Sequence, residues 1–133
     1  MSEARFACED VVRTSFRLID EGHASASTEC YTADATLVMA GTKEIRAEGE
    51  QIREAMCRRE QEDRPTLHVV SPSWFDLDGD RAECRCDLQV YALGDPAAPP
   101  HLRTVSRVHD VLTREAGRWR IAERRITVLA GAG

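Results

Sequence analysis

The feature that most constrains the fold is a run of alternating apolar and polar residues near the middle of the chain, at positions 81–93. Its apolar members are Ala82, Cys84, Cys86, Leu88 and Val90. Because successive side chains of a strand point to opposite faces of a sheet, the alternation predicts a long strand with one apolar face. A hairpin turn signal precedes it at 77–80, and a Pro- and Ala-rich loop follows it at 94–100. Both predict antiparallel neighbours for this strand.

Helical spacing of apolar residues dominates the first half of the chain, and strand patterns dominate the second. The predicted helices cover residues 4–22, 25–31 and 49–61. The predicted strands cover residues 35–40, 45–48, 66–77, 81–93, 102–113 and 119–129. Hairpins without βαβ crossovers indicate the α+β class. The expected architecture is a cone-shaped, curved antiparallel sheet packed on about three N-terminal helices, with a ligand pocket at its mouth. The length of 133 residues suits a single domain, 1–133.

Charge and hydropathy exclude several classes of partner. The net charge is −5 and the basic residues are scattered, which argues against nucleic acid as the main partner. The longest uncharged apolar run falls far short of the ~20 residues that cross a bilayer, so we expect no membrane segment. No apolar stretch follows the N-terminus, so the sequence predicts no secretory signal and, by default, a cytoplasmic protein.

Five cysteines are present, at positions 8, 30, 57, 84 and 86, and none forms a C-x-x-C motif. An odd number without such a motif favours free thiols in a reducing compartment. Cys84 and Cys86 lie two apart on the predicted strand and therefore face the same side. A single C-x-C is a weak metal signal, so we expect both to pack in the interior and no metal site.

Asp20 and His68 are the residues with the clearest chemical potential. Asp20 ends the first predicted helix, just before Gly22, and His68 lies on an apolar strand. If the fold brings them together in a pocket, the carboxylate can orient the imidazole, which titrates near neutral pH and can act as a base. Such a pair suits proton abstraction next to a carbonyl, and no metal or organic cofactor is needed for the resulting elimination, isomerisation or aldol-type ring closure. The alternatives are a core histidine bonded to backbone and a capping or surface aspartate.

Seven local motifs occur in order over nearly the whole chain, and each is weak alone. They are Leu18–Gly22, Cys30–Thr36, Gly49 at the start of the third helix, Leu67–Ser71, Leu77–Asp80, Arg107–Asp110 and Gly117–Arg124. Together they resemble the SnoaL-like family of the nuclear-transport-factor-2-like superfamily. The resemblance implies the same cone-shaped fold, a deep and mostly apolar pocket in each subunit, and a homodimer.

Within that superfamily the chain is most similar to scytalone dehydratase and the bile-acid dehydratases. The resemblance implies that Asp20 and His68 work together, and that Ser106 corresponds to a pocket serine. By the same resemblance, Ser15 corresponds to a tyrosine of the bile-acid dehydratases, and Cys86 and Val108 correspond to a histidine and an asparagine of scytalone dehydratase. The groups that polarise a substrate carbonyl are therefore expected to be reduced here.

The resulting hypothesis is a cofactor-independent lyase or isomerase, including cyclisation, for a small apolar, oxygenated ring or polyketide-like substrate. His68 is expected to be the general base, Asp20 its orienting partner, and Ser106 a hydrogen-bond donor to a substrate oxygen. The other expected pocket residues are Cys84, Cys86, Leu88, Val108, Trp74 and Asp110.

Three alternatives stay open. First, Asp110 could form an ion pair with Arg124 or Arg120 instead of contacting the ligand. Second, the whole domain could be a non-catalytic binding or dimerisation module instead of an enzyme. The third alternative is epoxide opening by Asp110 with Arg85 or Arg107. It ranks last because strand alternation puts both arginines on the face opposite to Asp110.

Overall fold

The computed structural model describes residues 2–131. Within this range it has two α-helices, one 3₁₀ helix and seven strands. In chain order they are α1 (Glu3–Asp20), the 3₁₀ helix (Ala24–Cys30), β1 (Tyr31–Ala40), β2 (Ile45–Glu48), α2 (Glu50–Gln61), β3 (Thr66–Val70), β4 (Trp74–Asp78), β5 (Arg81–Ala92), β6 (His101–Glu115) and β7 (Arg118–Gly131). The predicted α+β class and the three N-terminal helices are confirmed.

The strands form one curved, unclosed sheet in the order β2-β1-β7-β6-β5-β3, with β4 also paired to β5. All strand pairs are antiparallel except β1 and β7, which run parallel. The expected all-antiparallel sheet is therefore corrected to a mixed one. Only strands joined by a short turn are forced to run antiparallel, and β1 is separated from β7 along the chain by all the other strands and α2.

The strand predicted over 66–77 is interrupted. Residues 71–73 leave the ladder between β3 and β4, and Pro72 at their centre has no N–H to donate to a neighbouring strand. The chain stays attached to β5 at the break, because the Ser71 N–H donates to the Asp87 carbonyl at 3.0 Å and the Asp87 N–H donates to the Ser71 hydroxyl at 2.8 Å. The side-chain alternation of β3 consequently does not carry over into β4.

Helix α1 covers one half of the concave face of the sheet. The Ser2 side chain caps its start by accepting from the Arg5 N–H at 3.2 Å. Cys8, Val12 and Phe16 lie at intervals of four residues, and all three are buried against the sheet. The helix ends at Asp20, beside β3, and Gly22 with φ of 84° turns the chain away. The other half of the concave face is left open between α1, α2 and the sheet.

None of the helices in residues 2–131 combines the length and the apolar character that crossing a bilayer requires.

Candidate active site

A cavity of about 280 Å³ occupies the open half of the cone. Most of its wall is apolar and comes from α1, α2, β1, β5 and β7. Its polar lining residues are Tyr31, Arg59, Arg64, Thr66, His68, Arg103, Thr104, Ser106 and Arg124. A mostly apolar cavity with a few convergent polar groups is the usual form of a small-molecule site.

The structure brings Asp20 and His68 into direct contact at the edge of this cavity. Nδ1 of His68 lies 2.6 Å from Oδ1 of Asp20, and the His68 backbone N–H donates to Oδ2 at 2.8 Å. The Thr66 hydroxyl donates to Oδ1 at 2.9 Å. Each of the two side chains is 12% exposed. Three donors therefore hold the carboxylate at the end of α1 against the start of β3.

The contact with Asp20 fixes how His68 carries its proton. A carboxylate accepts hydrogen bonds, so Nδ1 is the protonated nitrogen and Nε2 keeps its lone pair. Nε2 has no hydrogen-bond partner among residues 2–131, and the ring lines the cavity. Burial lowers the pKa of His68 and outweighs the hydrogen bond and charge of Asp20, which raise it. At neutral pH the imidazole is therefore an uncharged potential base.

A second carboxylate pair lies deeper in the cone. Arg124 donates to both oxygens of Asp110, each at 2.8 Å, and to the Tyr31 hydroxyl at 3.0 Å. The Arg124 and Asp110 side chains are 1% and 0% exposed. Burial lowers the pKa of Arg124, but Asp110 and Tyr31 outweigh that effect and the net pKa is raised. Arg124 therefore stays protonated at every physiological pH.

Phe16 separates the two pairs. Its ring stacks on the His68 ring with centroids 5.2 Å apart, and the Arg124 guanidinium carbon lies 4.3 Å from the Phe16 centroid on a cation–π contact. Phe16 comes from α1, four residues before Asp20. The same helix therefore supplies the carboxylate of the first pair and the aromatic ring between the pairs.

The predicted pocket residues separate into two groups. His68, Ser106 and Leu88 line the cavity, and Asp20 lies directly behind His68. Cys84, Cys86 and Val108 share the concave face with Leu88 but do not line the cavity, because Cys8 and Val12 of α1 cover that half of the sheet. Both carboxylate oxygens of Asp110 accept hydrogen bonds from Arg124, and Asp110 does not line the cavity.

Trp74 does not line the cavity either. Its side chain is 65% exposed, in a groove on the outer face of the sheet that also includes Arg107. A place for Trp74 in the pocket wall would require an unbroken strand over 66–77 that continues the side-chain alternation of His68. Since β4 starts afresh after Pro72, its side-chain alternation could not be extrapolated from His68.

The arginines considered for epoxide opening lie away from Asp110. Arg85 forms ion pairs with Asp76 and Glu83, and Arg107 with Asp87. These contacts are on the outer face, as strand alternation predicts.

Within residues 2–131 no group of three or more His, Cys, Asp or Glu side chains is arranged to hold a metal ion.

A family model described as a SnoaL-like domain matches residues 1–125. The chain belongs to the SnoaL-like family. No curated protein in the comparison matches it significantly. The solved structures that share the fold include three bacterial proteins.

A protein of unknown function from Mycobacterium tuberculosis is 21% identical, with a TM-score of 0.80 over 94% of this chain and 71% of the other. A candidate scytalone dehydratase from Novosphingobium aromaticivorans is 15% identical, with a TM-score of 0.83 over 97% and 86%. ActVI-ORFA from Streptomyces coelicolor is 14% identical, with a TM-score of 0.83 over 96% and 98%. At these identities the likeness establishes the fold.

The SnoaL-like cavity also contains polar groups that sequence reasoning missed. Tyr31 sits in the Cys30–Thr36 motif, but its partner Arg124 is far away in sequence. Arg59 belongs to a helix face whose charge density indicates a solvated surface. In the structure it donates to the Arg64 carbonyl at 2.9 Å and the Thr66 hydroxyl at 3.1 Å and lines the cavity. No feature of the sequence indicated that Arg103 lines the cavity, because strand alternation assigns its side chain to the face opposite to that of Ser106.

Proposed function

We propose that this SnoaL-like domain is a cofactor-independent lyase or isomerase, including cyclisation, for a small apolar, oxygenated ring or polyketide-like substrate. The observation that carries the proposal is the 2.6 Å contact between His68 Nδ1 and Asp20 Oδ1 beside a mostly apolar cavity. Shared fold with a candidate scytalone dehydratase supports dehydration as one of the possible outcomes.

The first chemical step is removal of a proton from a carbon next to a carbonyl group. His68 Nε2 takes the proton, and the negative charge of Asp20 stabilises the imidazolium that forms. The imidazolium then returns the proton to another carbon in an isomerisation, to the alkoxide oxygen that an aldol-type ring closure forms, or to a departing hydroxyl group in a dehydration. A positioned base of this kind contributes on the order of 10²–10⁴-fold to the rate.

Negative charge develops on the substrate's carbonyl oxygen when the proton is removed. Two hydroxyl groups of the cavity are available to donate hydrogen bonds to this oxygen. Ser106 lines the cavity and is itself buried. The Tyr31 oxygen accepts from Arg124, which leaves its own O–H free to donate. Burial raises the pKa of Tyr31, so this proton is retained at neutral pH. Preoriented donors at such a point lower the energy of an enolate-like transition state.

Deuterium exchange into a bicyclic ketone tests the proton-abstraction step without knowledge of the natural substrate. The α-protons of 1-tetralone and 4-chromanone are followed by NMR in D₂O with and without protein. We expect acceleration by the wild type and a loss of about 10²-fold or more in His68→Asn, because the amide cannot act as a base. His109→Asn is the matched control, since His109 bonds Glu83 on the outer face of the sheet.

Exchange at the buffer rate with both ketones, or equal rates for wild type and His68→Asn, would contradict the catalytic proposal. The second candidate, a non-catalytic binding module, would then be favoured. That candidate is supported by Cys86 and Val108, which are apolar and buried where the dehydratases carry polar pocket groups.

We further propose that the protein is a homodimer through the outer face of the sheet. Large apolar side chains are exposed there on three strands, namely Leu67 and Val69 on β3, Trp74 on β4 and Leu129 on β7. Exposed apolar groups in one region mark a contact surface. Sedimentation equilibrium is expected to give twice the chain mass for the wild type and a weakened dimer for Trp74→Glu, and a monomeric wild type contradicts the proposal.

We also propose a reducing, cytoplasmic compartment. All five cysteines are free thiols and four of them are buried. Burial raises the pKa of Cys8 and of Cys86 to about 12, so these thiols stay protonated and unreactive.

A further inference from the structure

The mouth of the cavity has an excess of positive charge. Four arginines line the cavity; Arg124 is buried and paired with Asp110, whereas Arg59, Arg64 and Arg103 reach the surface, and none of the described lining residues is acidic. Arg64 is paired with Glu62 at 2.9 Å. Arg59 and Arg103 have no carboxylate within 4.0 Å in the described range. In a chain with a net charge of −5, this local excess is not a consequence of composition.

The position of Arg103 depends on a β-bulge. On β5, Val90 and Tyr91 are adjacent, but their partners on β6 are Thr104 and Leu102, so Arg103 is the extra residue. A bulge redirects side chains locally, which places Arg103 on the cavity beside Thr104 rather than on the outer face. On the other side of β6, Gly131 allows close approach: a Cβ there would lie 2.0 Å from the Arg103 carbonyl oxygen.

Arg59 is held in place near the C-terminal end of α2. One nitrogen of its guanidinium donates to the Arg64 carbonyl and the Thr66 hydroxyl, and Thr66 in turn donates to Asp20. The rest of the guanidinium is free to bind a ligand. Burial, followed by the charge of Arg64, lowers the pKa of Arg59. A negative group bound at this point would relieve both effects.

We propose that the substrate carries a carboxylate, which Arg59 and Arg103 bind at the mouth while its apolar ring enters the cavity. The proposal rests on the proposed function in that both concern the same site. Arg is well suited to a carboxylate because its planar guanidinium offers two parallel donors. Ser106 lies two residues further along β6 than Thr104 and is buried, and His68 lines the same cavity, so the carbonyl end of the substrate is placed deeper than the carboxylate.

A pair of bicyclic probes tests the charge preference by isothermal titration calorimetry. 2-Naphthoate and 2-naphthamide share a ring system and differ in charge. We expect the wild type to bind 2-naphthoate at least about tenfold more tightly at low ionic strength, with the difference shrinking as salt screens it. Arg103→Gln and Arg59→Gln are each expected to weaken naphthoate binding more than amide binding, which reduces the preference.

Arg107→Gln is the matched control. It makes the same change of charge on the same strand, but Arg107 lies on the outer face, paired with Asp87. Its naphthoate preference is expected to equal that of the wild type. The inference is overturned if naphthoate binds no more tightly than the amide, including if neither binds measurably, or if both cavity variants keep the full preference.

Binding is measured without turnover, so this result is separable from the ketone exchange. A naphthoate preference without His68-dependent exchange would remove the catalytic proposal and leave an anion-binding module. His68-dependent exchange without a naphthoate preference would contradict only the proposal that the substrate carries a carboxylate.

Discussion

Two carboxylate pairs lie on either side of the Phe16 ring, and they differ in what their partners can do. Asp20 contacts His68 at 2.6 Å and Asp110 contacts Arg124 at 2.8 Å, so the contacts themselves are similar. A histidine changes charge near neutral pH, whereas an arginine stays protonated. The Asp20–His68 pair can therefore exchange a proton with a bound molecule, and the Asp110–Arg124 pair can only supply a fixed field.

The two pairs are also coupled. Burial is the main cause of the lowered pKa of His68, and the positive charges of Arg59 and Arg124 act in the same direction. Arg124 thus helps to keep His68 uncharged and ready to accept a proton. The two pairs also differ in how accessible they are to a bound molecule. Asp20 and His68 are partly exposed at the cavity, whereas Asp110 and Arg124 are almost completely buried.

The largest expected effect comes from Asp110→Asn. The substitution leaves the Arg124 charge buried without its counter-ion, so the free energy of unfolding should fall by about 3–5 kcal/mol. Urea denaturation measures it. Asp87→Asn is the control, since Asp87 pairs with the exposed Arg107 and the loss there should be about 1 kcal/mol or less. A loss of similar size in both variants would mean that the buried ion pair is not a stabilising element.

Asp20→Asn is expected to have the opposite profile. Without the carboxylate, the proton of the neutral imidazole is no longer fixed on Nδ1, and the charge that stabilises the imidazolium is lost. Ketone exchange should therefore slow by about 10²-fold. The cost in stability should be only about 1–3 kcal/mol, because the amide oxygen still accepts one of the three hydrogen bonds. Exchange unaffected by the substitution would show that Asp20 does not act through His68.

Much of the architecture was predictable because it depends on local patterns. The alternation over 81–93 and the turn signals around it predicted β5 and its antiparallel neighbours. The parallel pairing of β1 with β7 was not predictable, since the two strands are far apart in sequence and no short turn fixes their relative direction. The break at Pro72 had a visible signal, a residue that cannot donate to a ladder.

The site was less predictable than the fold. Alternation correctly indicated which side chains share the concave face, but it could not show that α1 covers Cys84, Cys86 and Val108 and leaves Leu88 and Ser106 open. Arg103 illustrates the other limit, because a single bulge residue reverses the predicted side. The catalytic roles of Asp20 and His68 remain predictions, although the structure brings the two side chains together.

The pH dependence distinguishes the two pairs directly. As a base, His68 must be uncharged, so ketone exchange should fall as the pH drops through its lowered pKa. More than half of the plateau rate should therefore remain at pH 6.5, the ordinary histidine value. In Asp20→Asn the acid limb should move to still lower pH, because Asp20 raises this pKa. A purely structural Asp20 would leave the position of the limb unchanged.

The smallest predicted effect comes from Phe16→Leu, which removes the ring between the pairs. His68 loses its stacking partner and Arg124 its cation–π contact, so the free energy of unfolding should fall by about 1–2 kcal/mol. His68 also becomes less buried, so its pKa should rise towards 6.5, and NMR titration of the imidazole Hε1 measures the shift. Phe75→Leu is the control, since Phe75 contacts Arg5 and does not line the cavity. If the His68 pKa is the same in both variants, the Phe16 ring does not shield the imidazole, and the difference between the two pairs arises from their carboxylates and cations alone.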